Sequence, residues 1–485
     1  MGADTGSRKA QRPDPQLNML ETNLESGLIG GDRKVTGRCR RETLRGFKFF
    51  VTLVVLFPVG LAAQTSSSAT PGPDQGFGYG TGVQTSLQFA GESVPENLVA
   101  LSFGASAFYD DNVLATNASR VGDEALSLSP HLGISRQTKN VALSFDYSPF
   151  FLLYRQFGKY DQLNQSGNLD LDYRLAPRFI LGLHDTFGYR YGAYPSLNGE
   201  SISSGPISPT DLNQLILPYT IRTLSNMTGL DLTFEKSRRT SFTFSGGYNL
   251  SRFGNQAAAS GSLYDSKGVI GSLKFNYRPT DHTSFGVRLL HQDSTYQAGA
   301  VFSQRTQTES ALFSVESRLT PTLTVTVNGG PQYVHTLGHS SVEAGVGEGF
   351  YGAGGGSITE EVRNTALTFS VQRAVSDGGG LYASVISTDA TFGVRRRLVG
   401  HWEADLHGGA ARASNLVSQL ANLRTDLLIG GVDFRRPLRN GSVFHISYDT
   451  MHELYKGTLP VFYGFDRNQV SIGFDFRLKT IPLAR

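Results

Sequence analysis

The stretch Val470–Lys479, VSIGFDFRLK, reads with a period of two. Val470, Ile472, Phe474, Phe476 and Leu478 alternate with Ser471, Gly473, Asp475, Arg477 and Lys479. Successive strand side chains point to opposite faces, so this is one apolar face and one polar face. Ten residues at about 3.3 Å each cover about 33 Å. A tilted membrane-spanning strand needs about 9–11 residues, whereas strands of soluble proteins usually run about 5–6.

The same alternation recurs upstream. Leu169, Leu171, Tyr173 and Leu175 alternate with Asp170, Asp172 and Arg174, and Leu273, Phe275 and Tyr277 with Lys274, Asn276 and Arg278. Tyrosines cluster near segment ends (Tyr147, Tyr154, Tyr173, Tyr189, Tyr191, Tyr277, Tyr296, Tyr448), as an interfacial aromatic girdle requires. Tight-turn signals fall at RQTKN (136–140), LAPR (175–178), EKSRR (235–239), RPTD (278–281), LTPT (319–322), EEVRN (360–364), LVGH (398–401) and RPLRNG (436–441). Longer connections lie between them. Short turns on one side and long loops on the other describe an outer-membrane barrel. Eight short turns separate nine hairpins, which predicts an antiparallel transmembrane β-barrel of 18 strands over 98–479. The Gly-rich stretch 349–360 is the weakest strand, and losing its hairpin would give 16.

Composition agrees. Among 485 residues, 39% are apolar and 18% charged, with 56 Gly, 31 Phe and 20 Tyr. Disorder would call for few aromatics and high charge. A helical membrane protein needs apolar runs of about 18 residues or more, and the chain has none. Residues 1–63 carry ten Lys/Arg and six Asp/Glu, leaving 34 and 35 in the remainder. The folded part therefore lacks the basic surplus of a nucleic-acid binder. Cys39 is the single cysteine, so a disulfide framework or thiolate metal site is not expected.

Arg38, Arg40, Arg41, Arg45 and Lys48 precede the apolar run Phe49–Ala63, which ends in small residues. This is the pattern of a secretory signal peptide over 35–63, cleaved after Ala62 or Ala63. Residues 1–34 read as a non-structural extension, with translation beginning near Val35. Residues 64–97 read as a periplasmic linker or plug segment, and 480–485 as a periplasmic tail. The outer membrane is the expected location, with its lipid and the barrel assembly machinery as partners. Oligomeric state is not legible.

AFYDDNVLATN (107–117), SLSPHLGIS (127–135), VALSFDYSPFFLLY (141–154) and LDYRLAPRFILGLHDTFGYRY (171–191) follow one another. This run resembles the β-barrel porin family of outer-membrane proteins associated with exopolysaccharide gene clusters. The resemblance covers about 90 residues. It implies an outer-membrane barrel with a role in surface-polysaccharide export, and no functional residue is carried over. IPLAR follows Leu478, where such barrels commonly finish on Phe.

Asp170, Asp172, Arg174, His184, Arg190, Lys274, Arg278, Arg288, Glu403, Asp405, Asp475 and Arg477 fall on the polar face, and are the candidate lumen-lining residues of a mixed-sign wall. In the long loop 192–222, Leu215, Ile216 and Leu217 form an apolar end expected to fold back into the barrel mouth as a constriction. His445, Ser447 and Asp449 share one strand face, but residues two apart stand near 6.6 Å, too far for a relay of hydrogen bonds. No catalytic, metal or cofactor site is expected. Asp110, Asp111 and Asn112 read as an exposed turn, because the later Glu of a calcium loop is missing. Asp185 falls on the lipid face between Leu183 and Phe187, where a bulge or a shifted register is expected to account for it. The predicted function is a porin-like channel for passive passage of polar solute, polysaccharide included. The alternative is a structural or adhesive barrel binding partners through long extracellular loops.

Overall fold

The computed structural model describes residues 97–117, 119–191, 221–254, 263–298, 302–339, 346–378, 380, 382–416, 424–438, 441–456, 464–478 and 481–483. The extension 1–34, the leader 35–63, all but the last residue of the linker 64–97, and Leu215, Ile216 and Leu217 lie outside the described residues.

Alternation becomes strand throughout. The first half holds β1 (Leu98–Asp110), β2 (Asp123–Gln137), β3 (Val141–Tyr154), β4 (Gln162–Ala176), β5 (Phe179–Tyr191), β6 (Arg222–Ser237), β7 (Thr240–Gly254), β8 (Asp265–Thr280) and β9 (Thr283–Ala298). The second holds β10 (Phe302–Arg318), β11 (Leu323–His339), β12 (Val346–Val362), β13 (Thr365–Gly378), β14 (Tyr382–Arg397), β15 (Glu403–Asn415), β16 (Arg424–Pro437), β17 (Val443–Lys456) and β18 (Asp466–Arg477). Each strand pairs antiparallel with its successor, and β1 pairs with β18 from Ser102↔Arg477 to Asp110↔Gln469. The sheet is closed at 18 strands, with the Gly-rich β12 among them. A short β19 (Ile481–Pro482), expected as part of the tail, continues the pairing against Val99 and Leu98.

Every tight turn read from the sequence joins two strands at one rim, and both Leu98 and Arg477 lie at that rim. The outward face is apolar and exposed: Leu273, Phe275, Val470, Ile472, Phe474 and Phe476 are examples. Near the short-turn rim, rings pair across strands, with centroids 4.9 Å apart for Phe179–Phe234, 5.2 Å for Phe242–Phe275 and 5.0 Å for Phe444–Phe474. Such a belt is stable only in lipid, and in lipid every backbone polar group must be paired, which closure achieves. A closed antiparallel barrel with short turns at one rim and an aromatic girdle is a protein of the bacterial outer membrane.

This geometry makes the two faces chemically distinct. Leu273→Arg should destabilise the barrel by roughly 2–4 kcal/mol if near mid-bilayer. Asn276→Arg, on the inward face three residues on, should be tolerated. The temperature at which the folded band disappears on unboiled gels measures both. Equal losses would mean that both faces are packed.

The Asp110–Asp111–Asn112 segment is not an exposed turn. Asp110 and Asn112 are fully buried. The Asp110 carboxylate accepts from Arg467 Nε at 3.1 and 3.0 Å, from Arg467 Nη2, and from Gln469 Nε2 at 3.3 Å. Asp111 accepts from the Asn468 backbone and side-chain amides, both at 2.7 Å. Asn112 Nδ2 donates to the Asp466 carbonyl at 2.7 Å. The motif thus seals the seam where the last strand meets the first. Beside it, Phe108, Val113, Ala125, Leu152 and Tyr154 form a small core. Asp185 also departs from expectation: β5 keeps an unbroken register through it on both sides, so no bulge turns it away from the outward face.

Candidate functional site

Halfway up β10–β13 the wall bends. The β10–β11 ladder lapses between Ser310↔Gln332 and Phe313↔Gly329. At Gly330 a Cβ would overlap the Ala311 carbonyl, and at Gly354 it would lie 2.7 Å from the Asn328 carbonyl oxygen. Only glycine permits backbones this close. Above the bend the β12–β13 ladder stops at Gly354↔Arg373, while β11–β12 runs on to Leu337↔Val346 and β13–β14 to Gly378↔Tyr382. Two neighbouring strands therefore part company.

The parted end of β13–β14 turns into the bore. Below the bend, outward residues such as Phe369 and Val371 are exposed. Above it, consecutive residues of both faces are buried: Ala374, Val375 and Ser376, then Ala383, Ser384 and Val385. A strand in a lipid-facing wall cannot bury both faces. The side that would have met lipid meets the inner face of β10 and β11. Gln304 Nε2 donates to Ser384 Oγ at 3.2 Å, and the Val375 amide donates to Gln332 Oε1 at 3.1 Å. The opposite side carries Val385 onto Ala413 and Tyr455. At the tip, the Gly380 carbonyl accepts from the Tyr264 amide at 2.9 Å. Gly380 has φ +92°, and a Cβ there would run into the Phe253 ring, so glycine is required twice over. The hairpin spans the bore from β13–β14 to β7–β8.

All twelve candidate lumen residues lie on the face opposite the exposed apolar side chains of their strands. The structure gathers some of them into clusters. His184 Nδ1 is 2.8 Å from Asp170 Oδ1, and its Nε2 is 3.2 Å from Asp231 Oδ2, with Asp172 in the same group. Lys274 and Arg288 are directly opposed across β8 and β9. Asp405 is buried against Arg395 at 3.3 Å, Glu403 meets Arg397 at 3.4 Å, and Asp475 meets His445 at 3.2 Å. Arg190 stands near the far end of β5. Arg174, Arg278 and Arg477 sit toward the short-turn rim, apart from these clusters.

Sequence reading missed Asp231, the buried pair His407–Asp449 at 3.0 Å, and Asp433–Arg435 at 2.9 Å. Their inward parity was available; the partners of Asp231 and of His407 stand on other strands, while Asp433 and Arg435 share β16. His445, Ser447 and Asp449 do not form a relay. Ser447 Oγ lies 2.7 Å from Ser471 Oγ, while His445 and Asp449 pair with Asp475 and His407. Among the described residues, no group of three or more His, Cys, Asp or Glu is placed to hold a metal ion.

No protein-family profile matches the chain, and no curated protein matches it. Solved structures do show likeness. Pseudomonas aeruginosa OccK2 (OpdF) is 11% identical, with a TM-score of 0.39, covering 79% of this chain and 100% of its own. Pseudomonas aeruginosa OpdO is 11% identical, with a TM-score of 0.40, covering 79% and 98%. Acinetobacter baumannii OccAB4 is 10% identical, with a TM-score of 0.37, covering 80% and 99%. The barrel assignment rests on the chain's own ladders rather than on these likenesses.

Proposed function

We propose that this protein is a passive channel for polar solutes, narrowed by the in-turned β13–β14 hairpin. The observation that carries the reading is the inward face. An 18-strand barrel is too wide for its wall side chains alone to fill, and here the wall offers carboxylates, guanidinium groups, imidazoles and hydroxyls of mixed sign. Such a wall replaces part of a polar solute's hydration as it passes. Hydroxylated solutes, saccharide segments included, fit that chemistry, in line with the motif resemblance at 107–191.

Planar-bilayer recording of the purified barrel tests it. A steady ohmic current, with neutral oligosaccharides lowering it reversibly, supports the reading. A barrel that inserts and passes no current overturns it.

The adhesive reading has one supporting observation. Above the bend, the outward faces of β9–β12 carry charged pairs, including His291–Glu309 at 3.2 Å and His335–Glu348 at 3.4 Å. These strands therefore stand in water as a raised wall. Binding to cells or matrix by a non-conducting barrel would favour it.

A further inference from the structure

Charge is not spread evenly around the short-turn rim. The β6–β7 turn reads EKSRR (235–239), and the β12–β13 turn, of the same design, reads EEVRN (360–364). Lys236 and Arg239 of the first stand where Glu361 and Asn364 stand in the second. The first turn therefore carries a cationic surplus that its counterpart lacks.

The fold adds to that surplus. The Glu235 amide donates to the Arg178 carbonyl at 2.9 Å, and the Arg278 amide donates to the Arg239 carbonyl at 2.7 Å. These bonds tie the β4–β5 turn to one side of the β6–β7 turn and the end of β8 to the other. Between them lies a cleft of about 430 Å³, in which Arg178, Lys236, Arg238, Arg239 and Arg278 face the single carboxylate of Glu235. Among the described residues, none of the five cations is held in an ion pair. Ser237, Thr240, Ser241 and Asn276 complete the lining, so every side chain in it is polar. Asn276 and Arg278 lie on the face opposite the exposed Phe275 and Tyr277 of β8, and Glu235, Ser241 and Asn276 are directly opposed across β6, β7 and β8. The cleft thus belongs to the bore side of the rim, away from lipid. In outer-membrane barrels the short turns face the periplasm.

We propose that this cleft is a periplasmic binding site for an acidic saccharide, an inference that rests on the reading of the bore as a path for hydroxylated solutes and names their class. Its volume is that of a small-ligand site. Guanidinium forks grip a carboxylate or phosphate through paired hydrogen bonds. Several cations at one mouth also focus the field and concentrate anions there. The neutral members serve the rest of a sugar, since hydroxyl and amide groups both donate and accept. Glu235 sharpens the choice. It repels a bare anion, whereas a sugar hydroxyl can donate to it. The lack of an apolar wall disfavours an acyl chain or an apolar peptide side chain.

Calorimetric titration of the purified barrel in detergent at low salt tests it, with trigalacturonate, uncharged maltotriose and inorganic phosphate as probes. Trigalacturonate should bind several-fold more tightly than either of the others. Lys236→Glu with Arg239→Asn gives this turn the charges of the 360–364 turn and should weaken trigalacturonate several-fold. Arg278→Gln, from the other side of the cleft, should do the same, and Lys139→Gln, on the β2–β3 turn of the same rim, should change nothing. The folded band on unboiled gels would show each barrel intact. Maltotriose or phosphate binding as tightly as trigalacturonate, or an undiminished affinity in both cleft variants, would overturn the proposal. Titration needs no current, so the two readings fail separately. A barrel that binds trigalacturonate and passes no current overturns the channel alone, and one that conducts without binding it overturns the site alone.

Discussion

Replacing residues 376–385 by Asn-Gly is expected to raise single-channel conductance several-fold and leave the barrel assembled. Val375 and Ile386 are directly opposed in the β13–β14 ladder, so a two-residue turn can close the shortened hairpin there. Nearly all the ladder pairs lost belong to the in-turned tip, above the level at which β12 and β13 separate. The apolar belt at Phe369 and Val371 is untouched. What leaves is the segment bonded to Gln304 and to the Tyr264 amide from inside the bore. A channel limited at that level must widen. Bilayer recording of the assembled variant reads the result. An unchanged conductance would mean that the limiting section lies elsewhere along the wall.

The strands, the turns and the face parity were legible because each is a local property. Period-two alternation depends on side chains a few residues apart, and the turn signals on Pro, Gly and charged residues at fixed offsets. The bend was half legible. Glycines crowded into 347–356 were visible and read as a weak strand, whereas they permit close approach of neighbouring backbones. The in-turned tip was not legible, since RAVSDGGGLYASVIS alternates like any wall hairpin. Its only signals are small residues and Asp377 where lipid-facing aromatics would stand. Asp185 was placed on the correct face and then explained away by a bulge or a shifted register. The rule that charges avoid lipid outweighed an unbroken parity, yet Thr228 and Asn226 donate to the carboxylate where it stands. Asp110 was misread for a different reason. Its partner Arg467 lies 357 residues away, and no local pattern announces a contact made by closing the barrel.

That closing contact should be expensive to break. Asp110 and Arg467 are almost completely buried, so removing Arg467 strands the Asp110 carboxylate, and removing Asp110 takes from Arg467 the carboxylate that its Nε and Nη2 grip. The expected loss is about 3–5 kcal/mol for Asp110→Ala or Arg467→Ala. The attraction alone is not the source of that figure, because desolvating two ions cancels much of their Coulomb gain. A double variant, Asp110→Leu with Arg467→Leu, leaves no orphan charge and should lose less than the two single variants summed. Arg155–Glu124, at the same end of the barrel, is a control of equal charge. Its side chains are 70% and 62% exposed, so breaking it should cost about 1 kcal/mol or less. Urea unfolding in detergent, followed by loss of the fast-running band on unboiled gels, measures all four variants. If the Asp110 and Arg467 single variants lose no more than the control, the seam is held by the β1–β18 ladder alone. The Asp-Asn motif would then need another explanation.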